Sequence, residues 1–207
     1  MMHRPPIPPI AAHRPTVGGL VAPFVNVTLA DGGVDFRAQH DARTQDCYRN
    51  RWCQLCGVPI GHPIVLFGGP RQLETLQFDE PPMHPECAVY ASHACPMVAG
   101  RQDRYAKRPP LSAGHRGETC ATPGCACEGW VQTPGTSDSD LSGRLSHSWF
   151  AFYVTGYALG LTPDRSRVAA AVVRPDQVRA VRQISAPGEG RTWRRIPVEW
   201  PEEMTNA

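Results

Sequence analysis

CQLCG (residues 53–57) and MHPECAVYA (residues 83–91) are the stretches that decide the fold of this chain. In the first, a two-residue spacer lets both thiolates face one ion, and Gly57 permits the tight turn that follows. In the second, His84 and Cys87 have the same spacing, which suits two ligands on the first turn of a helix. The four side chains complete a tetrahedral set without an open position, which predicts a structural zinc ion bound by Cys53, Cys56, His84 and Cys87.

The second stretch also predicts the start of a helix. Pro85 suits the first helical position, where a missing N–H costs nothing, and Glu86 interacts favourably with the helix dipole. A thiolate near a helix N-terminus loses its proton more easily, which helps metal binding. Residues 64–67 are strand-like and are ended by the Gly-Gly-Pro of residues 68–70. The predicted order is therefore knuckle, β-hairpin and helix, which is the order of a treble clef.

Four more cysteines raise the possibility of a second zinc ion. Cys95 lies near the end of the same predicted helix, and it could complete an all-thiolate site with Cys120, Cys125 and Cys127. His93 or His115 could replace one member of that set. Cys47 is left over, and we expect it to be a small buried hydrophobic residue.

The composition predicts a small α+β protein that is rich in loops. The 207 residues include 22 prolines and 19 glycines, which disfavour long uninterrupted helices and strands. The expected organisation is a Pro-rich extended arm (1–18), a β-hairpin plus short helix (19–51), a zinc-binding module (52–130), a linker (131–147) and a β-rich C-terminal part packed on the module (148–207).

The expected cellular compartment indicates whether the eight cysteines form disulfides or bind metal. No stretch approaches the roughly 20 apolar residues that cross a bilayer, and the Pro-rich N-terminus lacks the apolar run of a signal peptide. We therefore expect a cytoplasmic protein without a membrane partner. That compartment keeps thiols reduced, so metal ligation explains the cysteines better than disulfides do.

Arginine accounts for 20 of the 21 basic residues, although the formal net charge is only +2. A GC-rich genome explains this bias, and the alternative is a requirement for guanidinium forks that bind phosphate or carboxylate. Two sets combine basic and aromatic side chains in the way that nucleic-acid or partner surfaces do; they could equally form a solvated basic face. They are Arg101, Arg104, Tyr105, Lys107 and Arg108, and Arg191, Trp193, Arg194 and Arg195.

Catalysis is not predicted by any strong motif. The sequence has no Walker loop, Rossmann glycine fingerprint, nucleophile elbow or HExxH motif. An HNH-like nuclease would share the treble-clef scaffold, but Gly61 rather than Asp precedes the candidate base His62. The favoured function is a zinc-stabilised, non-enzymatic binding or adaptor protein that acts on a protein partner. Nucleic-acid binding is the alternative, and an HNH-like nuclease is the minority hypothesis.

Four segments together resemble a group of small proteins from actinobacteria and their phages. They are RNRWCQLCG, PPMHPECAVYA, ACPM and CATPGCACEGW, within residues 48–130. The arginine bias agrees with such an origin. The resemblance implies zinc ligands at the matching cysteine and histidine positions, a treble-clef-like CxxC…HPEC core and no particular activity.

Overall fold

The computed structural model describes residues 4–29, 32–105 and 143–201. Their fold is α+β and rich in loops, which confirms the predicted fold class. The described α-helices are α1 (Asp41–Asn50), α2 (Pro70–Thr75) and α3 (Pro85–Ala94), and two 3₁₀ helices span Pro9–Ala11 and Pro175–Gln177. The strands are β1 (Thr16–Val17), β2 (Leu20–Val21), β3 (Asn26–Thr28), β4 (Val34–Gln39), β5 (Ile64–Gly68), β6 (Gln77–Phe78), β7 (Trp149–Val154), β8 (Ala158–Leu161), β9 (Val168–Val172), β10 (Val178–Ala186) and β11 (Gly190–Ile196). None of the described helices is long and apolar enough to span a bilayer.

A four-stranded antiparallel sheet in the order β11-β10-β7-β5 forms the middle of the molecule. Successive side chains of a strand point to opposite faces, so each strand serves two cores. Val65 and Phe67 pack with the predicted metal ligands on one side, here called the ligand face. Leu66 and Phe152 pack on the opposite face. The sheet is therefore a central layer between two apolar clusters.

The opposite face is covered by a smaller sheet and by α1. That sheet has the order β6-β9-β8, and its Phe78 ring meets Phe152 of β7 edge-on at a centroid distance of 4.8 Å. Tyr48 of α1 is buried in the same cluster and donates its hydroxyl to the Phe78 carbonyl at 3.2 Å. Together these contacts join the chain before the predicted zinc module to the C-terminal strands.

Two local predictions for residues 19–51 are confirmed. β3 and β4 pair antiparallel and form the expected β-hairpin. The short helix is α1, which begins at Asp41 and ends at Asn50. Arg51 follows in the left-handed conformation, with a φ of 53°, and closes the helix by donating its N–H to the Cys47 carbonyl.

The hairpin expected directly after the knuckle is wrong in its pairing. β5 instead pairs along its whole length with β7, and only a single bridge joins Val65 to Met83. The physical reason is burial, because all five residues of β5 are buried and an exposed two-stranded hairpin would leave one apolar face in water. The Val65–Met83 bridge still brings the strand beside the start of α3.

The Pro-rich arm is not extended throughout, because Pro9–Ala11 form one turn of 3₁₀ helix, and residues 4–18 are packed rather than free. Pro5, Pro8 and Ala11 are buried at every third position, so one side of the segment faces the rest of the protein. Pro5 lies beside Tyr90 of α3, and Ala11 is fully buried in the ligand-face core. The described part of the arm therefore packs against α3.

The predicted linker is likewise ordered where the structure describes it. Arg104 and Leu145 form an antiparallel bridge, and the Tyr105 amide donates to the Arg144 carbonyl at 3.0 Å. Residues 131–142 lie outside the described part of the chain. The segment after α3 and the segment before β7 therefore run side by side.

Candidate metal centre

Three thiols and one imidazole meet below the ligand face. Each contributes one ligand atom, and these four atoms all lie within 4.8 Å of one another. Among residues 4–29, 32–105 and 143–201, it is the one group of three or more His, Cys, Asp or Glu side chains whose ligand atoms lie close enough together to share a metal ion. Its members are the predicted ligands Cys53, Cys56, His84 and Cys87, and all four are buried.

The separations fit a single tetrahedral ion. His84 Nδ1 lies 3.5 Å from Cys56 Sγ and 4.0 Å from Cys87 Sγ. An ion about 2.3 Å from sulfur and about 2.0 Å from nitrogen holds tetrahedral ligand atoms about 3.5–3.8 Å apart. The cluster can therefore hold a metal ion with little movement of its side chains, and soft thiolate ligands select against hard cations such as Mg²⁺ and Ca²⁺.

A backbone carbonyl orients the histidine. His84 Nε2 lies 3.1 Å from the carbonyl oxygen of Pro59, to which its N–H donates. The proton on Nε2 leaves the Nδ1 lone pair facing the three sulfurs, as a metal ligand requires. Pro59 belongs to the loop that follows the Cys-x-x-Cys stretch, so the two halves of the site hold each other in place.

The knuckle is built by a backbone turn that only glycine forms easily. The Cys53 amide donates to the Val58 carbonyl at 2.9 Å, and the Gly57 amide donates to the Cys53 carbonyl at 2.7 Å. Gly57 has a φ of +77°, and a Cβ there would lie 2.8 Å from the ring of Phe24. Conformation and space both require Gly57.

The start of α3 supplies the other two ligands. His84 precedes the helix in extended conformation, Pro85 occupies the first position, and Cys87 lies in the first turn. The Gln54 amide donates to the Pro82 carbonyl at 2.9 Å, which fastens the knuckle to the segment entering the helix. This arrangement confirms the predicted helix start and points the positive end of its dipole at the sulfurs.

The hydrogen bonds and burial of the three thiols shift their pKa values in different directions. The Cys53 and Cys87 thiols hydrogen-bond to the Cys56 sulfur and lower the pKa of Cys56 to about 2. Burial raises the pKa of Cys53 to about 12. The pKa of Cys87 is raised because it donates hydrogen bonds to the other two sulfurs. A bound ion needs three thiolates, so the raised pKa values of Cys53 and Cys87 oppose metal binding as the pH falls.

Of the four cysteines predicted for the second zinc site, only Cys95 lies among the described residues. Cys95 caps the C-terminus of α3, and burial raises the pKa of its thiol. The other members, Cys120, Cys125 and Cys127, and the substitute His115 lie outside the described residues. Cys47 is fully buried and is not among the four clustered ligands, as expected for a small hydrophobic residue.

The two arginines of the first basic set that the structure describes donate hydrogen bonds to backbone carbonyl groups. Arg101 donates to the His93 carbonyl at 2.7 Å at the end of α3, and Arg104 donates to the Gly143 carbonyl at 3.1 Å. The Tyr105 hydroxyl lies 3.0 Å from His147 Nε2. Lys107 and Arg108 lie outside the described residues.

The second basic set lies on β11, at the edge of the central sheet. The Arg191 guanidinium stacks on Trp193 at 5.0 Å, and its Nε donates to the Ser92 hydroxyl of α3 at 3.3 Å. Arg194 donates twice to Gln183 Oε1, at 2.9 and 2.7 Å. Arg195 lies directly opposite Arg182 of β10.

Sequence reasoning missed the residues that support the ligands. Pro59 orients His84, Phe24 covers Gly57, and His13 of the N-terminal arm donates from Nε2 to the Cys56 carbonyl at 3.0 Å. Two of these contacts use a backbone carbonyl, which every residue carries, so the sequence contains no signal for them. The third depends on chain packing between distant segments.

No protein family matches this chain, and neither the curated proteins nor the solved structures contain a match. These comparisons identify no actinobacterial or actinophage family, so the resemblance described above stays a prediction.

Proposed function

We propose that the protein is a zinc-stabilised, non-enzymatic binding protein. The observation that carries the proposal is the buried set of three thiols and one imidazole, complete with four ligands. A four-ligand set leaves no open position for water or substrate, which is the arrangement of a structural ion. The metal would hold the knuckle, α3 and β5 together, and the surface of the resulting fold would do the binding.

Zinc is the proposed ion because it combines thiolate and imidazole ligands in tetrahedral sites and has no redox chemistry. A treble-clef-like module is part of the proposal. Its support is the order of knuckle, β5 and α3, with a single Val65–Met83 bridge in place of a full hairpin. The described cysteines are all free thiols, which agrees with the proposed cytoplasmic location, where thiols stay reduced.

A protein partner is the class expected from the sequence, and nucleic acid is the alternative. A nuclease activity would need a catalytic group outside the four ligands, for which the sequence offers His62, an exposed residue in the loop before β5. Comparing wild type with His62→Ala in a nuclease assay tests that minority hypothesis. A divalent-metal-dependent cleavage that the substitution abolishes would establish it.

The binding function is tested by affinity capture from cells with the intact, zinc-loaded protein as bait. The test variant is a bait in which Arg194 and Arg195, both exposed, are replaced by Gln. We expect wild type to retain a macromolecule that this variant, at equal zinc content, retains in a smaller amount. Enzymatic turnover of a small molecule by the same preparation would contradict the proposal.

A further inference from the structure

The C-terminal part of the central sheet carries a concentration of positive charge. Strands β10 and β11 contain five arginines, at positions 179, 182, 191, 194 and 195, and no Asp or Glu. Among the described residues, no ion pair involves the arginines of these two strands. The charge is therefore uncompensated on the strands themselves.

The cross-strand pairing of two of these arginines destabilises the sheet. Arg182 and Arg195 are directly opposite in the antiparallel pairing of β10 and β11, so their side chains emerge on the same face. Like charges in that position repel each other and destabilise the sheet. An anion bound between them would convert the repulsion into attraction, and a phosphate accepts hydrogen bonds from both guanidinium groups.

Aromatic rings flank the two arginines on the same face. Arg182 lies opposite Ala151 of β7, a ligand-face residue, and Tyr153 lies two residues further along β7 on the same face. On β11, Trp193 lies two residues before Arg195 and packs at the rim of the ligand-face core. Tyr153 and Trp193 are both only partly buried. We call these four residues, Tyr153, Arg182, Trp193 and Arg195, the arginine face.

We propose that the arginine face binds single-stranded nucleic acid, with the arginines on phosphates and the rings stacked on bases. This inference rests on the proposed binding function, and it takes nucleic acid, the alternative partner class, in place of the protein partner expected from the sequence. Charge complementarity calls for a polyanion. An acidic peptide would satisfy the arginines, but it has no flat groups for the two rings, whereas every base has one. A duplex hides its base faces, so the rings favour a single strand.

The test measures fluorescence anisotropy of labelled oligo(U) and oligo(dT) with the full-length, zinc-loaded protein over a range of salt concentrations. We expect binding to either strand that weakens as salt rises, and the ratio of the two affinities reports whether RNA or DNA is preferred. In Arg182→Gln/Arg195→Gln, the salt slope should fall by about 1.4, since each phosphate contact on a single strand contributes about 0.7. Tyr153→Leu should weaken binding at least about fivefold and Tyr153→Phe should restore it.

The control is Arg165→Gln/Arg174→Gln, which removes the same charge from exposed positions in the loops on either side of β9. It should leave the affinity within about twofold of wild type. The inference is overturned if oligonucleotides do not bind at low salt, if the control weakens binding as much as the arginine-face variant, or if polyglutamate competes as well as oligonucleotide does. Zinc content and circular dichroism are recorded on every sample. A zinc-free wild type overturns the proposed function, whereas a zinc-loaded, folded protein that does not bind overturns only this inference.

Discussion

His84 belongs both to the candidate metal site, through its imidazole ring, and to the start of α3, through its backbone carbonyl. Its Nδ1 faces Cys56 and Cys87, and its Nε2 donates to Pro59 at 3.1 Å. Its backbone carbonyl accepts the Ala88 amide at 2.9 Å, the first hydrogen bond of α3. An ion bound at Nδ1 would therefore be coupled to the start of a helix, and its loss would loosen both.

Replacing one ligand should unfold the protein, whereas replacing a neighbouring buried thiol should not. Structural zinc contributes about 10–16 kcal/mol of folding free energy in small modules, as much as the whole stability of a typical domain. We therefore expect Cys53→Ala to abolish zinc binding and cooperative thermal unfolding. Cys47→Ala is the matched control, because Cys47 is equally buried and lies outside the cluster, and it should keep both. Elemental analysis and circular dichroism check the pair, and a folded Cys53→Ala protein would refute the structural role.

Zinc binding should release about two protons from the cysteines at neutral pH. Cys56 has a lowered pKa and is already a thiolate, whereas the pKa values of Cys53 and Cys87 are raised and both must lose a proton. Affinity should therefore fall about a hundredfold for each unit by which the pH is lowered near neutrality. Calorimetry in buffers of different ionisation enthalpy counts the protons. A measured release of no protons would contradict the raised pKa values of Cys53 and Cys87.

The N-terminal segment is held against the core by its buried side chains as well as by its own short turns. Its buried positions recur every three residues, and one of them, Ala11, lies in the core beside the ligands. The segment also donates a hydrogen bond from His13 to the knuckle. Removing its packing should therefore weaken the metal module and not only the chain end.

Charge introduced at Ala11 should destabilise the fold far more than the same charge one residue later. Ala11 is fully buried, whereas Ala12 is exposed. We expect Ala11→Asp to lower the free energy of unfolding by at least about 2 kcal/mol and Ala12→Asp to change it by less than about 0.5 kcal/mol. Urea unfolding in excess zinc measures both. Equal effects would show that the segment is not packed as described.

A buried carboxyl links β4 to the segment after β6 and makes stability depend on pH. Gln39 donates to Glu80 at 2.8 Å, and burial raises the pKa of Glu80 to about 7. A carboxyl whose pKa is raised by folding destabilises the folded state once it ionises, so stability is lost as the pH rises from about 4.5 through 7. Glu80→Gln keeps the hydrogen-bond acceptor and cannot ionise. It should raise the free energy of unfolding by about 1–3 kcal/mol at pH 8 and change it little at pH 5; the opposite trend would contradict the assignment.

The ligands and several elements were predictable because their signals are local. Cys53 with Cys56, and His84 with Cys87, are pairs within one turn of chain, and Pro85 marks a helix start by position alone. The partner of β5 was not predictable. An apolar run of residues 64–67 indicates a buried strand without saying which distant strand pairs with it.

The whole molecule depends on that distant pairing. β5 comes from the metal module and β7 from the C-terminal part, and their pairing makes one sheet with a core on each face. The metal cluster lies in one of these cores and the arginine face at the rim of the same side. An ion bound by the four ligands would therefore stabilise the sheet that carries the proposed binding surface, and a closed site would do so without taking part in chemistry.

The central claim is a single zinc ion with three sulfur ligands and one nitrogen ligand. It is tested most directly by zinc K-edge X-ray absorption together with elemental analysis on protein in which Cys120, Cys125 and Cys127 are replaced by Ser, so that only one predicted site remains. We predict about one zinc ion per chain, with three sulfurs at about 2.3 Å and one nitrogen at about 2.0 Å. A folded protein without metal, or a first shell dominated by oxygen, would contradict the account.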